Sequence, residues 1–222
     1  MKLAYPELET VFDTEAPFVN TLVIESPELL VRLLSDIVQQ ENGDRGYAML
    51  SDHDQTLDFS HYTELLDVFI PFDLNRKTLL SRISATLERT AMEPDHYEHT
   101  MHLLSETEKY LYDIAFDFPC DIVFSKISLP AIIKASGVEI RDDHPKLSEK
   151  VINYMELVRE FERDKLFITL NLRSFLADEE ADLFLQTILD HGFHLIMIET
   201  RDHSRLPHEK RVIIDSDMCE IT

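Results

Sequence analysis

The sequence predicts an α/β protein with a parallel-rich sheet and an inserted helical domain. Short, uninterrupted apolar runs recur along the chain, which is typical of strands buried on both faces of a sheet. Segments with helical periodicity separate these runs, and this alternation is the order that builds parallel sheets. One region, Leu74 to Phe118, carries helical periodicity and lacks strand-like runs, so it predicts two long helices inserted into the α/β body.

Six apolar runs are the predicted strands of a head domain. They are Thr21–Ile24, Asp67–Ile70, Asp121–Phe124, Lys165–Leu170, His194–Ile198 and Arg211–Ile214. A helix is predicted after the first strand, because Ser26 is a good N-cap and Pro27 fits the first helical position. Another is predicted before Gly192, and the strand, helix and strand from Lys165 to Ile198 indicate a right-handed crossover.

The predicted domains follow from these elements. Residues 1–73 and 119–222 form the head, and residues 74–118 form the inserted helical leg. A further amphipathic helix over residues 144–163 is expected to pack with the leg.

Charge and composition restrict the class of protein. The 222 residues carry a formal net charge of −22, which repels nucleic acid and anionic membrane unless cations are concentrated locally or metal ions bridge. The apolar runs are too short to span a membrane, and acidic residues interrupt the N-terminus before a secretory signal could form. Cys120 and Cys219 lie far apart in the sequence. We therefore expect a cytoplasmic protein with reduced thiols.

The sequence lacks the common nucleotide-binding and nuclease motifs. The four glycines do not fall in a phosphate-binding loop, so we expect no nucleotide. No lysine has an acid two residues before it, as the common endonuclease core requires, although the acid pairs in Asp52–Asp54 and Asp215–Asp217 leave a metal-dependent nuclease or phosphohydrolase as an alternative. The histidines at 96, 99 and 102 indicate a polar helix face rather than a zinc site.

Two charged patterns have more than one interpretation. Asp113, Asp117 and Asp121 are spaced by four around Pro119, which suits either a metal site across a helix end or a stripe facing water. The basic helix with Arg76, Lys77, Arg82 and Arg89 suits a solvated face paired with acids better than a phosphate-binding role. Looser basic groups are Lys126, Lys134, Lys146 and Lys150, and Arg201, Arg205, Lys210 and Arg211.

Three stretches resemble a known family. They are Leu129–Ile140 ("LPAIIKASGVEI"), Tyr154–Leu176 ("YMELVREFERDKLFITLNLRSFL") and Ile198–Ile221 ("IETRDHSRLPHEKRVIIDSDMCEI"). Together with the opening "MKLAYPELE", they are similar to the small spacer-acquisition protein of type II-A CRISPR systems. The similarity spans most of the chain, in order and at about the right separations.

The resemblance implies an α/β head related to nucleotide hydrolases but without their phosphate loop, and a helical leg. It implies a homotetrameric ring that threads double-stranded DNA ends through a basic central hole, without enzymatic activity. It also implies that calcium at the junction of head and leg stabilises this ring. The implied partners are the CRISPR integrase pair and the RNA-guided effector nuclease.

The resemblance also directs attention to particular residues. Lys134 lies in the best-matching stretch, Lys126 precedes it and Arg201 lies in the last stretch, so these three are the expected DNA-binding residues, although each could equally serve an ion pair between subunits. Asp113, Asp117 and Asp121 are the expected calcium ligands, because calcium prefers oxygen ligands and the soft sulfur ligands are almost absent. An acidic scaffold that binds only protein is a third possibility.

Overall fold

The structure is a computed structural model that describes residues 1–53 and 55–222. The chain divides into two compact units. The sheet unit comprises residues 1–73 and 142–222, and the helical unit comprises residues 74–141. The helical unit therefore ends at residue 141, whereas the predicted leg ended at 118.

The sheet unit contains strands, helices and one short 3-10 helix. The strands are β1 (Lys2–Ala4), β2 (Phe12–Asp13), β3 (Val19–Ile24), β4 (Met49–Asp52), β5 (Gln55–Thr56), β6 (Thr63–Leu66), β7 (Leu166–Leu170), β8 (His194–Glu199), β9 (Glu209–Ile214) and β10 (Glu220–Ile221). The helices are α1 (Pro27–Glu41), α2 (Phe59–Tyr62), α6 (Leu147–Phe161) and α7 (Asp178–Asp190), with the 3-10 helix at Leu172–Phe175. The helical unit contains α3 (Lys77–Ala91), α4 (Pro94–Ala115) and α5 (Leu129–Ser136). Among the helices described, none has the length and apolar character needed to cross a membrane.

The main sheet confirms the predicted fold class. Its six strands follow the order β10-β9-β3-β8-β7-β6, and all neighbours are parallel except β10, which runs antiparallel to β9. Every residue of β3 is buried, as expected for a strand covered on both faces. A separate antiparallel sheet with the order β2-β1-β4-β5 was not predicted, because its strands are too short to show a pattern.

The two predicted helices of the sheet unit form for the expected reasons. The Ser26 hydroxyl accepts a hydrogen bond from the Leu29 amide (3.5 Å) at the start of α1, and Pro27 occupies its first turn. Helix α7 begins with three acidic residues beside the positive end of its dipole. Gly192 comes after it with a φ of +65°, a conformation that glycine adopts without strain.

The predicted strand at Asp67–Ile70 is wrong, since β6 lies four residues earlier. Val68 is 56% exposed and Ile70 is 74% exposed, so these apolar side chains do not enter the sheet. The four residues of β6 are buried and include the charged Glu64. Its carboxylate accepts hydrogen bonds from the Tyr154 hydroxyl (2.6 Å) and the Lys165 ammonium (2.9 Å), which compensate for the loss of water.

The predicted strand at Asp121–Phe124 is also wrong. This segment is irregular and lies in the helical unit, where Phe124 packs edge-on against Tyr112 of α4 with 5.2 Å between ring centroids. Val123 is 84% exposed, so the run does not have the two buried faces of a central strand.

Helix α6, which was predicted to pack with the leg, belongs to the sheet unit. Val151, Tyr154, Met155 and Val158 are fully buried there, and α6 packs against α7.

Candidate functional site

The carboxyl edge of the parallel sheet is the place where open α/β sheets bind ligands. Strand β8 ends there at Glu199, and residues 200–208, which we name the β8–β9 loop, come next. Strand β7 ends beside it and leads to Asn171, whose side-chain oxygen accepts hydrogen bonds from the Thr200 amide (2.9 Å) and hydroxyl (2.8 Å). The start of the loop is therefore tied to the neighbouring strand.

Two arginines hold the rest of the β8–β9 loop. Arg173 is 3% exposed, and its Nη2 donates to Asp178 Oδ1 (2.9 Å) and to the Ser204 carbonyl (3.4 Å). Arg211 donates to the carbonyls of His203 (2.6 Å) and Ser204 (3.1 Å). Because these bonds satisfy loop carbonyls with charged donors, they fix the loop against the sheet.

Glu199 is a buried carboxyl group beneath this loop. It is 0% exposed, and its Oε1 accepts a hydrogen bond from the Arg173 amide (3.1 Å). Burial raises the pKa of Glu199 to about 7, against the opposing effect of Arg173. Burial also lowers the pKa of His203, as do the charges of Arg173 and Arg201.

The side chains of Glu199 and His203 face each other and can share one proton between them. Glu199 Oε2 lies 3.5 Å from His203 Nε2, and neither atom has a hydrogen-bond partner among the described residues. With a pKa of about 7, Glu199 is protonated in part of the molecules at neutral pH, and in that form it faces a neutral imidazole that can accept its proton in a hydrogen bond. These atoms are shielded from solvent, so the cluster anchors the loop rather than offering groups to a substrate.

Replacing Glu199 with glutamine is expected to stabilise the protein at high pH. A carboxyl group whose folded pKa exceeds its unfolded value destabilises the fold as pH rises from about 4.5 towards 7 and above. Glutamine removes this cost and can donate to His203 Nε2. Urea unfolding should show a gain that is larger by about 2 kcal/mol at pH 8 than at pH 5.

The matched control is Glu179→Gln, which changes an exposed residue in the first turn of α7. It should give the same small effect at both pH values. An equal effect of Glu199→Gln at pH 5 and pH 8 would contradict the assignment of a buried proton.

The three predicted DNA-binding residues are all exposed. Arg201 is the second residue of the β8–β9 loop and donates to the Ser174 hydroxyl at 3.4 Å. Lys126 lies in the irregular segment before α5, and Lys134 lies in the last turn of α5. Within the described chain, neither lysine forms an ion pair. Lys126 and Lys134 share the helical unit, whereas Arg201 belongs to the sheet unit.

The negative charge of the protein is divided unevenly between the units. The helical unit contains 8 Lys and Arg against 10 Asp and Glu, a formal charge of −2, and the sheet unit carries the remaining −20. Residues 122–138, with Lys126 and Lys134, contain no acid at all. The whole-chain charge conceals this segregation, although a sliding count of acids along the sequence would have found it. The helical unit is where anionic ligands meet the least repulsion.

The three predicted calcium ligands are exposed residues of the helical unit. Asp113 and Asp121 line an open pocket of about 800 Å³ beside Phe116 and Phe118, and Asp117 lies in the turn between them. Carboxylate oxygens suit calcium chemically. Their ligand atoms do not all lie within 4.8 Å of one another, however, so these three residues alone do not form a closed site.

Within the described chain, the possible metal ligands that do lie within 4.8 Å of one another are those of Glu15, Asp52 and His53. Its carboxylates already have a cationic partner, because the N-terminal ammonium of Met1 lies 3.2 Å from Glu15 and 3.6 Å from Asp52. This trio overlaps the acid pair noted at Asp52–Asp54, of which Asp54 lies outside the described residues. The arrangement is therefore explained as an ion cluster at the N-terminus.

The comparisons with known proteins agree with this architecture. A family model described as "CRISPR-associated protein (Cas_Csn2)" matches residues 40–218. The crystal structure of Stu0660 of Streptococcus thermophilus aligns with a TM-score of 0.55 and 12% identity, covering 91% of this chain and 69% of that chain, which shows a shared fold. A search of curated proteins returned no match. The family membership supports a role in CRISPR adaptation. Since the family model covers most of the sequence, the chain belongs to the Csn2 family of CRISPR-associated proteins.

Proposed function

We propose that this protein binds double-stranded DNA ends during CRISPR spacer acquisition, without sequence preference and without catalysing a reaction. The DNA passes through the basic hole of a calcium-stabilised homotetrameric ring. The observation that carries this proposal is the acid-free segment 122–138, which presents Lys126 and Lys134 to solvent without an ion-pair partner among the described residues. Family membership supports the adaptation role.

The charge of the protein explains why assembly matters. Four copies carry four times −22, a formal charge of −88, so DNA can be held only where cations are brought together. In a closed ring each exposed lysine appears four times around one axis, which focuses positive potential there. The contacts are to phosphates and weaken steeply with salt.

Calcium stabilises the assembly through Asp113, Asp117 and Asp121 in this proposal. Calcium takes six to eight oxygen ligands, and exposed carboxylates leave room for waters or for groups from a neighbouring copy to complete them. Like charges one turn apart repel each other unless a cation lies between them. Calcium therefore relieves repulsion within this acidic stretch.

The same charge division suits the proposed protein partners. The proposed partners, the CRISPR integrase pair and the RNA-guided effector nuclease, act on nucleic acid, and proteins that bind nucleic acid do so with cationic side chains. The sheet unit, at −20, provides an acidic surface for such partners.

The proposal is tested by incubating the pure protein with linear and with closed circular duplex, in calcium or in chelator. We expect retention of linear duplex in calcium, no retention of circular duplex, and no cleavage of either. Light scattering in the same buffers should show a tetramer. Cleavage would instead indicate a metal-dependent nuclease, and failure to retain either DNA would indicate a scaffold that binds only protein.

Replacing Asp117 and Asp121 with asparagine is expected to weaken calcium binding and to loosen the tetramer. Each change removes a carboxylate charge that calcium requires while keeping the size of the side chain. Calorimetric titration with calcium and light scattering measure the two effects. The control is Asp95→Asn with Glu106→Gln, two exposed acids that lie on α4 itself. A tetramer that ignores both the Asp117 and Asp121 changes and the chelator would remove calcium from the proposal.

A further inference from the structure

Helix α3 of the helical unit presents a narrow exposed stripe that contains two arginines. The stripe consists of Thr78, Ser81, Arg82, Ala85 and Arg89, which follow the three- and four-residue spacing of one helix face. The stripe itself contains no acid and no apolar side chain larger than alanine. Arg82 and Arg89 are seven residues apart, or about 10.5 Å along the helix axis.

The two arginines lack the carboxylate partners that three arginines of the sheet unit have. Arg32, Arg173 and Arg211 in the sheet unit all pair with carboxylates. Within the described chain, Arg82 and Arg89 have neither an ion pair nor a hydrogen bond to their guanidinium groups. The acid Glu88 follows Ser81 by seven residues and so borders the stripe, but it is half-buried and forms no ion pair with either arginine among the described residues. The expectation that the basic side chains of this helix pair with acids is therefore not met by Arg82 and Arg89.

The stripe shares the helical unit with Lys134. Helix α5, which carries Lys134 in its last turn, packs against α3. The chain after α5 is tied to the residues just before α3, because the Asn75 side chain accepts from the Ile140 amide (2.7 Å) and donates to the Ile140 carbonyl (3.3 Å). The end of α5 and the start of α3 therefore lie at the same end of this unit.

We propose that Arg82 and Arg89 bind DNA phosphates and extend the contact surface of Lys134 along α3. This inference rests on the proposed DNA-binding function and assigns two residues to it. A guanidinium group can donate two parallel hydrogen bonds to the oxygens of one phosphate. The hydroxyls of Thr78 and Ser81 can donate further hydrogen bonds to phosphate oxygens. The small side chains between the arginines allow a DNA backbone to approach the helix closely.

The alternative partner is the acidic sheet unit of a second copy, which charge alone would also favour. A stable contact between proteins buries an apolar centre, often with aromatic anchors. The α3 stripe has none of these anchors. A polyanion that needs only charge and hydrogen bonds therefore fits the stripe better.

The test compares the wild type with Arg82→Gln, Arg89→Gln in binding a fluorescent linear duplex over a range of salt concentrations in calcium. Loss of two phosphate contacts should reduce the slope of log K against log salt by at least about 1.8 and weaken binding at low salt. Arg82→Lys, Arg89→Lys should keep the wild-type slope. The control Arg45→Gln, Lys210→Gln removes two exposed charges from the sheet unit and should also keep it. Circular dichroism verifies that each variant is folded.

The outcomes separate this inference from the proposed function. If the wild type does not bind linear duplex, the proposed function fails and the inference fails with it. If the wild type binds and the glutamine variant keeps its slope, DNA-end binding stands and the arginine stripe is excluded. A glutamine variant whose assembly dissociates without DNA present would assign the stripe to contact between copies and overturn the inference.

Discussion

The double variant Lys126→Glu, Lys134→Glu is expected to lose its binding to linear duplex while its tetramer stays intact. Both side chains are exposed, and they lie in residues 122–138, the longest stretch of the helical unit that contains no acid. On the proposed function, each reversal removes a phosphate contact and adds a charge that repels the DNA, in every copy of the assembly. We expect binding in 0.1 M salt to weaken by roughly a hundredfold or more.

Fluorescence anisotropy with a labelled duplex measures this loss, and light scattering verifies the tetramer. The control reverses two exposed cations of the sheet unit, Arg45→Glu and Lys210→Glu, which changes the net charge equally. If both double variants weaken binding to the same extent, the effect comes from overall charge rather than from a local site. Unchanged binding in the first variant would remove Lys126 and Lys134 from the DNA-binding surface.

Replacing Lys165 with methionine is expected to lower the free energy of unfolding by about 3–5 kcal/mol. Lys165 is 7% exposed, and its ammonium lies 2.9 Å from Glu64 and 2.7 Å from Glu162. Burial opposes the charge of this lysine, but the two carboxylates outweigh burial and raise its pKa. Methionine retains the volume and removes the cation, so the buried carboxylates lose the charge that compensates them.

Urea unfolding at pH 7 measures this change. The matched control is Lys150→Met, because Lys150 forms a partly exposed ion pair with Asp142 at 2.6 Å. Such a pair contributes roughly 0–1 kcal/mol, so the control should change stability little. Equal effects of the two substitutions would show that Lys165 is not a required part of a buried network.

The local sequence pattern identified most strands of the main sheet but missed β6. Strands β3, β7, β8 and β9 were predicted within three residues of their bounds, because each contains a short apolar run, which in β3, β7 and β8 is buried on both faces. Strand β6 was missed because Glu64 interrupts its pattern. Its burial depends on Tyr154 and Lys165, which lie 90 and 101 residues away in the sequence. No local rule can anticipate partners at that distance.

The segment Asp121–Phe124 was wrongly predicted as a strand because its local pattern is strand-like although its surroundings are not. It has the composition of one, but its apolar side chains are only partly covered, and Phe124 packs on Tyr112 of the preceding helix. Helix α4 ends at Ala115, four residues before Pro119 and earlier than the predicted leg boundary at residue 118. The conformation of the chain beyond a helix end depends on the surface available to pack against, and the sequence does not show that surface.

Some residues of the candidate site were named from the sequence, and others were identified only from the structure. Lys126, Lys134 and Arg201 were named from a family resemblance, and the family itself is now shown, while their contact with DNA stays a prediction. Glu199 was not singled out, because a glutamate after an apolar run is ordinary in sequence. Its raised pKa arises from complete burial beneath a loop that Arg173 and Arg211 hold in place.

The sequence by itself determined the α/β class, the main helices and four strands of the sheet, the strong net negative charge and the family resemblance. These depend on periodicity, composition and the order of motifs along the chain. Only the tertiary structure decided which charged groups are buried and paired, such as Glu64 with Lys165, and which remain exposed without an acid partner among the described residues, such as Arg82. The physical reason is that desolvation and ion pairing depend on neighbours brought together by folding, whereas periodicity depends on neighbours along the chain.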